Sequence, residues 1–204
     1  MKKCLFFLLL IPSGMMNTSC ETEDICAAIY LADMVCAELS IAVPTVETGV
    51  AFALTTIIRN VAEGTSFCET ATADSSKTGY AVKYRTDENS PWEDARIADQ
   101  HNSPVFEVFV PTSPLSPNAS TGLEPSFRMN RPGHYRFESR ADGKQEIQER
   151  VETNNDNTSN EGTIKMASDS GLRPPVIVKV LAAPGYDPKA PQHKVEFLGY
   201  RKLW

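Results

Sequence analysis

Apolar residues recur at every second position over most of this chain, the period of a half-buried β-strand. Val50, Phe52, Leu54, Thr56 and Ile58 share one face of a long run, Ala51, Ala53, Thr55 and Ile57 the other, and Arg59-Asn60 closes it. A shorter strand precedes it, with Leu39 and Ile41 alternating against Glu38 and Ser40 and stopping before Pro44. Tyr80, Val82 and Tyr84 mark a third strand and Val105 to Val110 a fourth. Pro111, Pro114 and Pro117 should end the fourth, because proline cannot donate to a ladder. Asp87 to Gln100 reads as a loop in which Trp92 and Ile97 are buried. Phe127 and Met129 alternate with polar neighbours up to a Pro132-Gly133 turn. Beyond it Tyr135, Phe137 and Ser139 face one way, against Arg136, Glu138 and Arg140. Thr163 to Met166 supplies a last strand, and Val176 to Leu181 and Lys194 to Tyr200 add two more. Helical spacing occurs at 23–33, where Ile25, Ala28, Ile29 and Ala32 follow Thr22 as N-cap.

Many short β-branched runs, 14 prolines and long polar connections make this an all-β chain. Tyr135 stands at the start of a strand directly after a Pro-Gly corner. That placement is similar to the tyrosine corner of immunoglobulin-like sandwiches. The expected fold is an immunoglobulin-like antiparallel β-sandwich with a short N-terminal helix and a C-terminal β extension.

Several segments together resemble one family, the bacterial cell-adhesion-related domain (CARDB). They are Pro132-Gly133-His134-Tyr135-Arg136-Phe137, then Ala141-Asp142, then Glu149 and Glu152-Thr153-Asn154-Asn155. At the other end stand Glu38-Leu39-Ser40-Ile41, Arg59-Asn60 and Gly64-Thr65. Leu115-Ser116-Pro117-Asn118 occupies the place of a short L-x-x-G turn, without its glycine. The resemblance covers roughly residues 37–166 and is weak in the middle, around Cys68 and Trp92. It implies a non-catalytic module. The chain then divides into a signal peptide (1–19), a tether and short helix (20–34), a CARDB-like domain (35–168) and a C-terminal β extension (169–204).

The first twenty residues are unlike the rest. Lys2 and Lys3 precede an apolar run from Phe6 to Ile11, too short to span a bilayer and suited to an export signal. Thr18-Ser19-Cys20 resembles a lipoprotein lipobox, with Asn17 where an aliphatic residue is usual, and this makes Cys20 the expected lipidation site. An ordinary secretory signal is the alternative. Glu21-Thr22-Glu23-Asp24 reads equally as a surface-export signal of Bacteroidota lipoproteins or as a solvated tether. The expected location is the cell envelope, lipid-anchored to the outer membrane, or secreted if Cys20 carries no lipid.

The formal net charge is −6, and removal of Lys2 and Lys3 with the signal makes it more negative. That disfavours nucleic acid, whose phosphates require clustered cations. With Cys20 lipidated, Cys26, Cys36 and Cys68 remain, enough for one disulfide. Cys36 is out of phase with Leu39 and Ile41, so it should face away from the core. The expected bridge is Cys36–Cys68, with Cys26 as the competitor for Cys68.

No nucleophile elbow, P-loop or H-E-x-x-H helix is present, so no catalytic residue, cofactor or metal is assigned and no enzyme is expected. His134 reads as solvated surface. Asp142, Glu146, Glu149, Glu152, Asn154, Asn155 and Asp156 are rich in oxygen ligands. They lack the D-x-D-x-D-G loop of a calcium site, and turn chemistry is the expectation for them. Of the aromatics, Tyr80, Tyr84, Phe106, Phe109 and Tyr135 fall at core-facing positions, while Trp92 in its loop is a sugar-stacking candidate. The function expected is adhesion, scaffolding or assembly with a cell-envelope protein. A glycan-binding accessory lipoprotein of a polysaccharide-uptake system is the alternative.

Overall fold

The computed structural model describes residues 32–61, 73, 75–144, 176–189 and 193–204. One sheet runs in the order β1 (Met34–Ile41), β3 (Ala51–Asn60), β9 (Ser120–Met129), β12 (Val195–Lys202), β6 (Ile97–Ala98), β7 (Pro104–Val105). The other runs β2 (Thr45–Glu47), β11 (Val176–Leu181), β10 (Gly133–Arg140), β4 (Ser76–Arg85). Both β5 (Glu93–Asp94) and β8 (Glu107–Thr112) pair with β4. Pairing is antiparallel except for β2 with β11 and β6 with β12. This is an immunoglobulin-like β-sandwich.

The period-two pattern is what builds it. Along β10, Gly133, Tyr135, Phe137 and Ser139 are buried and the residues between them half-buried. In β3 the buried set is Leu54, Thr56, Ile58 and Asn60. The two inner faces meet through aromatic rings. Phe127 lies 5.1 Å from Phe137 and 5.4 Å from Phe197, and Phe52 meets Phe137 edge-on at 5.7 Å. Each fully buried side chain of this size contributes about 1.5–3 kcal/mol relative to exposure.

Asn60, fully buried, ties the end of the sandwich away from the Pro132-Gly133 corner. Its Nδ2 donates to the Leu115 carbonyl at 2.9 Å, and its Oδ1 accepts from the Asp33 amide at 3.2 Å. The nearby turn lacks a glycine, and Asn118 takes the left-handed conformation in its place, with φ of 62°.

Several expectations change. Cys36 does not face solvent: it is 6% exposed and belongs to the core. A bulge between Cys36 and Glu38 breaks the β1–β3 register, so Cys36 and Leu39 reach the same side despite their odd spacing. The Cys36 thiol contacts Ser139 Oγ at 2.8 Å across the two sheets. The accessibility on which a Cys36–Cys68 bridge was expected is therefore overturned, and no disulfide occurs among the described residues. Cys68, like Cys26 and Cys20, lies outside them.

Pro111 does not end its strand. β8 is an edge strand that continues to Thr112, with Pro111 exposed. Nor is Phe106 core: it is 54% exposed, because it sits at the break between β7 and β8 where the alternation changes phase. The C-terminal β extension is integrated in the sandwich, with β11 in one sheet and β12 in the other. The expected helix up to Leu31, the strand at 163–166 and the acidic and amide residues at 146–156 lie outside the described residues.

Candidate recognition site

The site forms where β9 turns into β10. Gly133 has φ of +143°, and a Cβ there would lie 2.6 Å from the Tyr84 ring and 2.7 Å from the Arg85 carbonyl. Only glycine lets the corner close so tightly on β4. Two tyrosines then hold it. Tyr135 Oη donates to the Arg131 carbonyl at 2.8 Å, and Tyr84 Oη donates to the Pro132 carbonyl at 3.1 Å. Their rings are 5.0 Å apart. Burial pushes the Tyr84 hydroxyl up from its ordinary value near 10, with Arg131 pulling the other way. Burial raises Tyr135 as well. Both hydroxyls therefore stay protonated and donate at neutral pH.

Strand register adds charge. Across three neighbouring strands, Arg85 of β4 stands opposite His134 of β10, and His134 opposite Lys179 of β11. No acid interrupts this row. Lys194 brings its Nζ 4.4 Å from the Tyr84 ring centroid. Arg85 stacks on Trp92 at 4.5 Å and donates to the Glu88 carbonyl at 2.8 Å. Trp92 is thus half-buried with one face taken by a guanidinium, and not a free stacking platform.

A loop from Ala182 to Lys189 covers the end of β11. The Ala183 amide donates to Thr48 Oγ1 at 3.0 Å and the Tyr186 amide to the Ala183 carbonyl at 3.0 Å, with Gly185 at φ of 80° making the bend. Tyr186 stands between two open clefts. The first, about 510 Å³, has Tyr84, Arg131, His134, Lys179 and Leu181 in its walls. The second, about 570 Å³, has Asn102, Asn130, His193, Asp187 and Glu196. The first is cationic and aromatic, the second rich in amide and carboxylate groups.

Of the residues singled out in sequence, the structure brings Tyr84, His134 and Tyr135 to this end. Trp92 joins them only through Arg85. His134 is half-buried and lines the first cleft instead of standing free in solvent. Asp142, from the oxygen-rich set, is fully buried. Among the described residues no group of three or more His, Cys, Asp and Glu side chains could hold a metal ion. Sequence reasoning missed Arg131, Lys179 and Tyr186. Lys179 carried a signal, as a lone charge inside the apolar run from Val176 to Leu181.

No protein-family model matches the chain, and no curated protein matches it. Among solved structures it is similar to the crystal structure of the CARDB domain of the PF1109 protein from Pyrococcus furiosus in complex with di-metal ions. Identity there is 13%, TM-score 0.44, with 76% of this chain and 97% of that chain covered. It is also similar to the solution NMR structure of the same domain, at 14% identity and TM-score 0.39, covering 74% of this chain and 96% of that one.

Proposed function

We propose that this chain is a non-catalytic adhesion module of the cell envelope, tethered by lipid on Cys20, that engages its partner through the corner end of its sandwich. The observation that carries the reading is the pair of clefts meeting at Tyr186, beside a corner held by two tyrosine hydrogen bonds. Recognition surfaces profit from such rigidity, because little ordering entropy is lost on binding. The family resemblance in the sequence points the same way. Thr18-Ser19-Cys20 after the apolar run supports the lipid tether.

A photo-crosslinking side chain introduced at Tyr186 of the full chain, in cells, tests the reading. Capture of an envelope protein or saccharide from Tyr186, and not from Ser116 at the opposite end, is the expected result. Equal capture from both positions, or capture only from Ser116, places recognition elsewhere and rejects the corner end.

A further inference from the structure

We infer that the corner end binds an acidic saccharide, its carboxylate on Arg131 and Lys179 beside His134 and a sugar ring against Tyr186. This rests on the proposed role of the corner end and names the class of its ligand. Three independent observations carry it.

The first is the row itself. Neighbouring strands are about 4.8 Å apart, so Arg85 and Lys179 stand about 10 Å apart with the His134 imidazole between them and no carboxylate in the row. A chain of net charge −6 has gathered two cations and an imidazole here. The second is unpaired charge. Arg131 and Lys179, both in the walls of the first cleft, form no ion pair among the described residues. An arriving carboxylate supplies the partner, and charge-assisted bonds of this kind are the stronger sort. The third is the lining. A half-buried tyrosine between a cationic cleft and one that bears Asn102 beside Asp187 and Glu196 offers a ring for stacking, an amide for hydroxyl groups and a charge contrast that directs the acidic group to the first cleft.

A peptide strand is the less suitable occupant. Beside the cleft, the edge of β11 is already paired in parallel with β2, at Lys179–Thr45, Val180–Val46 and Leu181–Glu47. The ladder groups that an added strand needs are therefore occupied. Nucleic acid would need a longer tract of cations than the Arg131 and Lys179 of this cleft.

Titration calorimetry on the mature full-length chain decides the matter. The probes are oligomers of galacturonate, mannuronate and glucuronate, each with its neutral counterpart of galactose, mannose or glucose. At least one acidic oligomer should bind, more weakly as salt rises, with its neutral counterpart much weaker. Lys179→Glu, at an exposed position, should lower the affinity about tenfold or more, and Arg131→Gln should act in the same direction, with circular dichroism unchanged in both. The inference is overturned if no acidic oligomer binds, if neutral oligomers bind equally well, or if Lys179→Glu binds like the parent. Capture of a protein from Tyr186 together with no saccharide binding keeps the corner-end role and rejects only the ligand class.

Discussion

The hydroxyl of Tyr135 donates to the carbonyl of Arg131, four residues upstream, at 2.8 Å from a fully buried ring. Tyr80, equally buried, offers the opposite case. Its hydroxyl faces Thr56 Oγ1, and neither oxygen has any other hydrogen-bond partner among the described residues. The same substitution should therefore act differently at the two sites. Tyr135→Phe leaves a carbonyl without its donor and should destabilise by about 1–3 kcal/mol. Tyr80→Phe removes a hydroxyl that gains little from burial and should be neutral or stabilising, within about 1 kcal/mol. Urea unfolding of both variants checks this, and equal losses would contradict it.

Gly133→Ala should be worse than either tyrosine change. The left-handed backbone alone costs about 1–3 kcal/mol for a residue with a side chain. The new Cβ must also displace the Tyr84 ring or the Arg85 carbonyl. Since both belong to the candidate site, ligand binding should weaken along with thermal stability. Gly185→Ala has open space around it and bears only the backbone strain, so it is the matched control.

Alkaline pH should unfold the protein steeply. Burial raises the hydroxyls of Tyr80 and Tyr135 above their ordinary value near 10. The native state keeps these protons where the unfolded chain has lost them. Their stabilisation is complete below about pH 10 and declines as pH rises above it, by about 1.4 kcal/mol per pH unit for each tyrosine. Denaturant midpoints between pH 8 and 12 measure the slope, and Tyr135→Phe should flatten it.

How much of this was visible in the sequence depended on whether the strand period stayed in phase. β10 reads from the sequence residue by residue, because Tyr135, Phe137 and Ser139 alternate without interruption between a turn and a charged end. Cys36 was misplaced because a bulge shifts phase within β1, and no composition signal marks a bulge. The first half of β9 was hidden by Pro125, an unusual residue for an inner strand. The fold accommodates it by irregularity. On the β3 side the ladder passes from Ala53–Ser126 to Thr56–Leu123 without a pair at Pro125, and β12 bulges between Phe197 and Gly199. The Arg85–His134–Lys179 row was illegible for another reason: the three are far apart in sequence and meet only through pairing register.

The contact between Cys36 and Ser139 joins the two sheets, so a double-mutant cycle can weigh it. Cys36→Ala should destabilise by about 1–3 kcal/mol, combining lost packing with a serine hydroxyl left without that partner. Adding Ser139→Ala should restore part of the loss. Strict additivity of the two changes would show that the pair does not interact.

Lipid attachment is the remaining expectation, and metabolic labelling with a palmitate analogue checks it. The parent chain should be labelled and partition into detergent, and Cys20→Ala should abolish both. Undiminished labelling of the variant would remove Cys20 from the assignment.

The position of β12 bears on the order in which the molecule can assemble. Although it comes last among the described strands, it lies inside its sheet, with β9 on one side and β6 on the other. A chain emerging from its N-terminus can pair β1, β3 and β9, but within that sheet the short β6–β7 ribbon has nothing to dock on until residues 195–202 arrive. Such distant pairing is slow to form. On the export route proposed for this chain, that order would leave the β6–β7 ribbon undocked until residues 195–202 had crossed the membrane.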